Sequence, residues 1–107
     1  MRFFVDSINE TSLILGRNEN ADIPVGSVFT LLGKTRLNDR TTWTSTDLGY
    51  VESVELTLVT VHWYRHEIEY IPGGHTAGLS VTGSGIELLA QHLSKLHDDE
   101  SVYLAVS

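Results

Sequence analysis

The sequence predicts a mainly β domain: a small, mostly antiparallel barrel of about six or seven strands, with one short helix before the last strand. Short runs rich in Val, Ile, Leu, Thr and aromatic residues alternate with clusters of Gly, Pro, Asn and Asp. Only residues 86–96 repeat their apolar side chains at helical spacing. A length of 107 residues suits one packed core, so residues 1–107 are expected to form a single barrel domain.

The first predicted strands cover residues 2–8, 12–17 and 27–32, the third closed by Gly33. Polar residues 18–22 predict a turn that leads into Ile23-Pro24-Val25-Gly26. Residues 34–49 are polar and Thr-rich, with Asn38-Asp39 as a turn and with Trp43 and Leu48 as apolar anchors. This composition favours a loop or a hairpin excursion between two barrel strands.

Residues 50–69 are the longest β-branched stretch of the chain. The apolar alternation changes phase between Val51 and Val54, which predicts a bulge or a bend. A turn is predicted at residues 71–74, and further strands at residues 76–82 and 102–106.

The predicted helix covers residues 86–96. Its apolar stripe consists of Ile86, Leu89, Ala90, Leu93 and Leu96. Ser84 and Glu87 have the Ser-x-x-Glu spacing of a capping box. Gly83-Ser84-Gly85 also begins like a dinucleotide-binding loop, but Leu88 stands where that loop needs its third glycine. We therefore expect no cofactor at this turn.

The charge of the chain argues against several classes of partner. A formal charge of −7 with only seven Lys and Arg residues disfavours nucleic acid and anionic membranes, because both are bound through clustered cations. The absence of cysteine excludes disulfides and thiolate chemistry. No secretion signal or apolar run of spanning length is found, so a cytoplasmic location is expected.

Two segments carry a family resemblance. In the first, 12–29, a strand ends in Gly-Arg, an acidic residue follows, and a turn leads to Ile-x-Val-Gly. The residues of this motif are Gly16, Arg17, Glu19, Ile23, Val25 and Gly26. In the second, 65–83, the matching residues are Arg65, Glu67, Gly74, Gly78, Leu79 and Gly83. Together they resemble the translation-factor β-barrel, the second domain of elongation factor Tu and its relatives.

The resemblance implies the barrel fold, with Gly16, Gly26, Gly74, Gly78 and Gly83 as structural glycines. It does not extend to the GTPase: Leu31 to Thr35 end like a P-loop, but Val28 stands where the loop needs a glycine. Family members also hold the aminoacyl end of tRNA through a basic, Gly-rich loop. Here that loop is Asn9-Glu10-Thr11, so no tRNA-binding residue is carried over.

The stretch His62-Trp63-Tyr64-Arg65-His66 contains the candidate site residues. On one continuous strand, His62, Tyr64 and His66 would share one face, and Trp63 with Arg65 the other. Exposed Trp, Tyr and Arg are typical of protein interfaces. A metal site with His75 or Glu69 would need a bulge, since strand positions four apart are separated by about 13 Å. We expect no bound metal.

Two functional interpretations remain. The first is a non-catalytic, standalone barrel that binds another protein, such as a bacterial regulatory or immunity-type protein. No nucleophile elbow or triad spacing indicates an enzyme. The alternative is a small-molecule or metal-binding barrel whose mouth presents His62, His66, His75 and Arg65.

Overall fold

A computed structural model describes residues 1–19, 21–39 and 44–106; Trp43, one of the predicted apolar anchors, lies outside these ranges. The strands are β1 (Arg2–Ile8), β2 (Ile14–Asn18), β3 (Ile23–Pro24), β4 (Val28–Asp39), β5 (Thr44–Trp63), β6 (His66–Ile68), β7 (Tyr70–Ile71), β8 (Thr76–Ser84) and β9 (Glu100–Val106). The helix α1 (Ile86–Ser94) precedes β9.

Six of these strands form a closed antiparallel ring. In order around the ring they are β1, β2, β8, β5, β4 and β9, which pairs again with β1. β6 extends the sheet beside β5, and β3 pairs with β7 as a separate short ribbon. The predicted small, mainly antiparallel β-barrel with one short helix is therefore confirmed.

The inward faces of the ring form the hydrophobic core. Along β1, β2 and residues 54–58 of β5, alternate residues are buried, as period-two side-chain direction requires. The fully buried core side chains include Phe3, Ile14, Phe29, Leu32, Leu79 and Leu104. α1 adds Leu89 to this core, while its other side faces solvent. In the described residues no helix is long and apolar enough to cross a membrane.

For residues 34–39 and 44–49 the hairpin alternative is supported, whereas residues 40–43 lie outside the described ranges; the predicted strand end is wrong. β4 continues past Gly33 through the expected turn residues Asn38-Asp39, and it pairs with both β5 and β9. Gly33 lies inside β4 and does not end it. A Cβ at this position would collide with the ring of Tyr103, so the close approach of that ring requires a glycine. The polar, Thr-rich composition suggested a loop, but the described residues of this hairpin belong to paired strands whose side chains are largely exposed.

The bend predicted in the long β stretch is confirmed. The register between β4 and β5 shifts between Phe29 and Leu31 and again between Leu32 and Gly33, which leaves extra β5 residues near Val51 and Val54. Such bulges increase local twist and help a long strand curl around a barrel.

The predicted capping box is wrong. The N-cap of α1 is Gly85, in a left-handed conformation with φ 113°, and no side chain caps the helix. Ser84 is the last residue of β8, where its backbone pairs with Glu55. Gly85 precedes the first turn of α1, and the chain passes from strand to helix at this residue.

Candidate functional site

The candidate residues lie at the hairpin that joins β5 to β6. Trp63 pairs with His66, and Tyr64-Arg65 form a two-residue turn between them. The prediction that His62, Tyr64 and His66 share one face of one strand is therefore wrong, because the chain reverses within this stretch. The sequence did not predict this turn, because two-residue hairpin turns usually contain Asn-Gly or Asp-Gly.

The turn has an unusual backbone for its residues. Tyr64 has φ 49° and Arg65 has φ 68°. Two central residues with positive φ are characteristic of the type I′ turn, whose twist matches that of the flanking strands. Large L-residues adopt this conformation at a cost of about 1 kcal/mol or more each, so the turn holds its two large side chains against a conformational penalty.

Aromatic rings surround this turn. The Trp63 ring lies edge-on to Tyr64 with centroids 4.7 Å apart, and edge-on to His75 at 5.8 Å. Tyr64 is 72% exposed, whereas the Nε1 atom of Trp63 is buried without a hydrogen-bond partner. The cluster thus combines an exposed tyrosine with an unsatisfied indole donor.

A shallow groove of about 260 Å³ lies beside the turn. His62, Trp63 and Tyr64 line one side, and Leu15 with Asp6 lines another. Arg65 and His66 do not line the groove; both are exposed, Arg65 in the turn and His66 on β6. The structure therefore brings three of the five predicted partner-binding residues into one concave surface.

His62, His66 and His75 lie on three different segments of the chain: β5, β6 and the turn before β8. His62 pairs with Gly78 of β8 and, on its other side, with Glu67 of β6. His75 precedes β8 and contacts Trp63. Among the described residues, no three His, Asp or Glu side chains are grouped so that they could hold a metal ion.

Asn18 is a buried residue that sequence reasoning missed. Its backbone N–H donates to the carbonyl of His75 at 3.0 Å, and its Nδ2 donates to the carbonyls of Ala21 and Ile71 at 2.7 and 2.9 Å. These bonds tie the end of β2 to the β3–β7 ribbon and hold the segment that carries His75. The prediction that Asn18 belongs to the polar turn 18–22 is wrong, because Asn18 is the last residue of β2. A polar residue at a strand end is usually exposed, so its burial was not predictable from the sequence.

The structural glycines of the resemblance lie in distinct places. Gly16 and Gly78 are on adjacent strands, since Leu15 pairs with Gly78 and Gly16 with Ala77. Gly26, Gly74 and Gly83 have φ of 94°, 78° and 126°. The two sequence segments that carry the resemblance thus contact each other through β2 and β8.

A second, larger groove of about 540 Å³ adjoins the first and shares Asp6 and Thr76 with it. Its charged residues are Arg2, Asp6, Arg17, Glu19 and Asp99. Because cations and carboxylates are interspersed, the groove presents no field of a single sign. This mixture suits polar contacts to a peptide better than it suits a polyanion.

Arg2 organises one side of this groove. It donates to both carboxylate oxygens of Glu19, and its Nη1 lies 3.4 Å from Oδ2 of Asp47. Its guanidinium lies over the ring of Tyr103, 4.8 Å from the centroid. The hydroxyl of Tyr103 in turn donates to Asp47 at 2.9 Å. The network fastens the β4–β5 hairpin to the barrel wall.

The network shifts the pKa values of its members. Hydrogen bonds from Arg2 lower the pKa of Glu19. The backbone N–H of Gly49, followed by the hydroxyl of Tyr103, lowers the pKa of Asp47. Burial and the bond to Asp47 raise the pKa of Tyr103. The two carboxylates are therefore stabilised in their ionised forms in the folded chain.

These shifts predict loss of stability in acid. A carboxylate with a lowered folded pKa contributes stability above its unfolded pKa of about 4, and this contribution disappears as pH falls through the folded value. At pH 7, Glu19→Gln should lower the free energy of unfolding by about 1 kcal/mol or less, since the pair is partly exposed. Near pH 2.5 the variant and the wild type should converge in urea unfolding.

Glu10→Gln is the matched control, because Glu10 is an exposed carboxylate in the turn before β2. It should unfold like the wild type at both pH values. A deficit of Glu19→Gln that is the same at pH 7 and pH 2.5 would contradict the electrostatic explanation.

The chain matches no family model, no curated protein and no solved structure.

Proposed function

We propose that the chain is a non-catalytic protein-binding module that contacts its partner through the β5–β6 hairpin. The hairpin surface consists of Tyr64, Arg65 and the adjoining groove residues Leu15, His62 and Trp63. The observation that carries the proposal is the positive φ of both Tyr64 and Arg65 at the turn. Residues held in a costly conformation are concentrated at functional sites, where the surrounding structure maintains them.

The side chains at this turn are those that contribute most to protein interfaces. Tyr and Arg are enriched among the residues whose truncation weakens binding most. Here Tyr64 projects into solvent and Arg65 makes no ion pair with any described residue. An Asn-Gly turn would satisfy the hairpin geometry at lower cost, so a binding role explains why the large residues stand there.

The groove supplies the concave part of the surface. Leu15 and the Trp63–Tyr64 pair offer apolar contact area. A side chain of the partner that fills the groove would add apolar contact area next to exposed Tyr64. The polar end of that partner side chain could bond to Asp6 or His62, which line the same groove.

We further propose that the barrel is of the translation-factor second-domain type. Two features support this. Gly16-Arg17 stand near the end of β2, as in the family motif, and Val25-Gly26 form the turn that precedes β4. The second motif segment places Gly78-Leu79 on β8, directly beside β2. The fold itself does not specify the activity, so the binding role rests on the hairpin.

For the biological role we infer a regulatory or immunity-type protein that acts on a basic partner in the cytoplasm. The net charge of −7 supports this role, because attraction between opposite charges accelerates association with a basic partner. The same negative charge repels acidic partners. Nucleic acid and membranes are not part of the proposal, and neither is a cofactor.

Exchange of the turn residues should separate stability from binding. The double variant Tyr64→Asn/Arg65→Gly should raise the free energy of unfolding by about 1 kcal/mol, because both new residues tolerate positive φ. Urea unfolding followed by tryptophan fluorescence measures the change. A decrease in stability would show that the two large side chains contribute to the fold rather than to a partner.

The binding role itself is tested by photo-cross-linking in lysate. A photoreactive residue at position 64 should trap one specific protein, whereas the same residue at exposed position 10 should not. Unmodified Tyr64→Asn/Arg65→Gly protein should fail to compete for that product, while wild type and Glu10→Gln compete. Equal competition by wild type and by the turn variant would refute the proposed surface.

A further inference from the structure

The first half of β5 has a free sheet edge. β4 pairs with β5 from Thr44 to Thr57, whereas β8, on the other side, pairs only from Glu55 to His62. In the ranges that the structure describes, no strand covers the second side of residues 45–53, which we call the β5 edge. α1 approaches it only at one end, where Nε2 of His92 lies 3.3 Å from Oε1 of Glu52.

A free edge presents backbone N–H and C=O groups to which another strand can bond. Many proteins protect such edges with Lys or Pro, but residues 45–53 contain no Lys, Arg or Pro. The β5 edge is also accessible: Tyr50 is 60% exposed, and Leu48 and Val51 are exposed as well.

The shape of the β5 edge limits the length of an added strand. The register with β4 shifts between Gly49 and Asp47 and again at Val51, so the strand is bulged twice. Bulges increase twist and interrupt regular pairing. A short segment can follow such an edge, whereas a long flat ladder cannot.

Charge favours a basic occupant over a second copy of the chain. β5, residues 44–63, carries Asp47, Glu52 and Glu55 and no Lys or Arg. Two copies with a formal charge of −7 each would bring these carboxylates together. Like charges opposed across a strand pair are destabilising, and opposite charges stabilise the pair.

A groove of about 360 Å³ at the β5 edge fits one basic side chain. It is lined by Leu31, Tyr50, Val51, Glu52 and Ser53. The aliphatic stem of a Lys or Arg can lie on Leu31 and Val51, and the carboxylates of β5 favour its cation.

We propose that the β5 edge is a strand-addition site for a short, extended segment of a partner protein that contains Lys or Arg. The site lies on the opposite half of β5 from Tyr64 and Arg65 and does not depend on the hairpin surface.

The test uses the full chain and a capped nonapeptide of alternating lysine and valine. Peptide binding should slow amide hydrogen exchange within residues 45–53 by about tenfold at saturation, because new backbone hydrogen bonds form there. Two control peptides replace lysine by glutamate or methylate alternate backbone nitrogens. Both should bind at least about tenfold more weakly, since they remove the charge or the donors.

Variants locate the site. Glu52→Lys and Val51→Lys should each weaken binding about tenfold, while Glu10→Lys, which makes the same charge change as Glu52→Lys far from the edge, should weaken it less than about twofold. Urea unfolding verifies that all three are folded.

Three outcomes would overturn the proposal. One is equal loss of affinity in Glu10→Lys and Glu52→Lys, which would indicate general attraction by net charge. Another is undiminished binding of the methylated peptide. The third is concentration-dependent dimerisation that protects residues 45–53 without any peptide, which would make a second copy the occupant. None of these outcomes concerns Tyr64, so the two proposals fail independently.

Discussion

Replacing Gly16 with alanine is expected to lower the free energy of unfolding by about 3 kcal/mol or more, which is large for a single added methyl group. Gly16 lies in β2 between β1 and β8, where it pairs with Val5 and Ala77. A Cβ at this position would overlap the carbonyl of Phe4 and lie 2.7 Å from the ring of Phe3. Two strands or a core ring would have to move to admit it.

Gly26→Ala is the matched control for Gly16→Ala. Gly26 has φ 94°, and a Cβ there would meet no atom within 4 Å. The cost should therefore be conformational only, about 1 kcal/mol. Urea unfolding at pH 7 compares the two variants. Equal losses would show that backbone conformation, not close approach, explains both glycines of the motif.

This comparison gives a physical meaning to the sequence motif. The Gly-Arg at a strand end and the Val-Gly of the following turn are both recognisable in the sequence, but for different reasons. At Gly16 the neighbouring backbone leaves no room for a side chain, whereas at Gly26 the turn favours a residue without a Cβ. Motif position alone could not distinguish these two requirements.

The first strand and most of the helical stripe were predictable because burial repeats there with a fixed period, although Ala90 of the predicted stripe is exposed. β1 was predicted at Arg2–Ile8, where the structure has it, and the helix was predicted to begin at Ile86, where α1 begins. Both elements bury one face against the core. The extension of β4 was not predictable, because its outer residues are mostly polar and largely exposed, so no alternating apolar pattern marks them.

The candidate site was predictable in composition but not in geometry. Residues 62–66 were identified as a cluster of interface-type side chains, which no structural observation contradicts. Their arrangement depended on a reversal at Tyr64-Arg65 that has none of the usual turn residues. The Arg2–Glu19–Asp47 network was invisible as well, since its members are brought together by pairing across strands far apart in sequence.

Asn18→Asp is expected to lower the free energy of unfolding at pH 7 by about 3 kcal/mol. Asn18 is fully buried and uses its side-chain amide as a double donor, to Ala21 and Ile71. A carboxylate has the same shape but no donor, so at pH 7 it would face two carbonyl oxygens in the interior. The loss should also displace the segment that carries His75, and with it the edge-on contact to Trp63.

Asn9→Asp is the control, because Asn9 uses its side chain only as an acceptor. Its Oδ1 accepts from the N–H groups of Thr11 and Leu13, and a carboxylate accepts equally well. This exposed turn should keep its stability within about 0.5 kcal/mol. The same chemical change is thus expected to have a large effect or almost none, depending on whether the amide donates or accepts.

The pH dependence of Asn18→Asp provides the decisive check. Burial beside two carbonyls should raise the folded pKa of the introduced carboxyl above its unfolded value of about 3.9. The folded chain then binds the proton more tightly, so the deficit relative to wild type should be smallest near pH 4, where the neutral carboxyl supplies one of the two donors, and should grow as pH rises towards 7. A deficit that is independent of pH would mean that altered packing or the lost donor, and not the buried charge, destabilises the barrel end beneath the proposed binding surface.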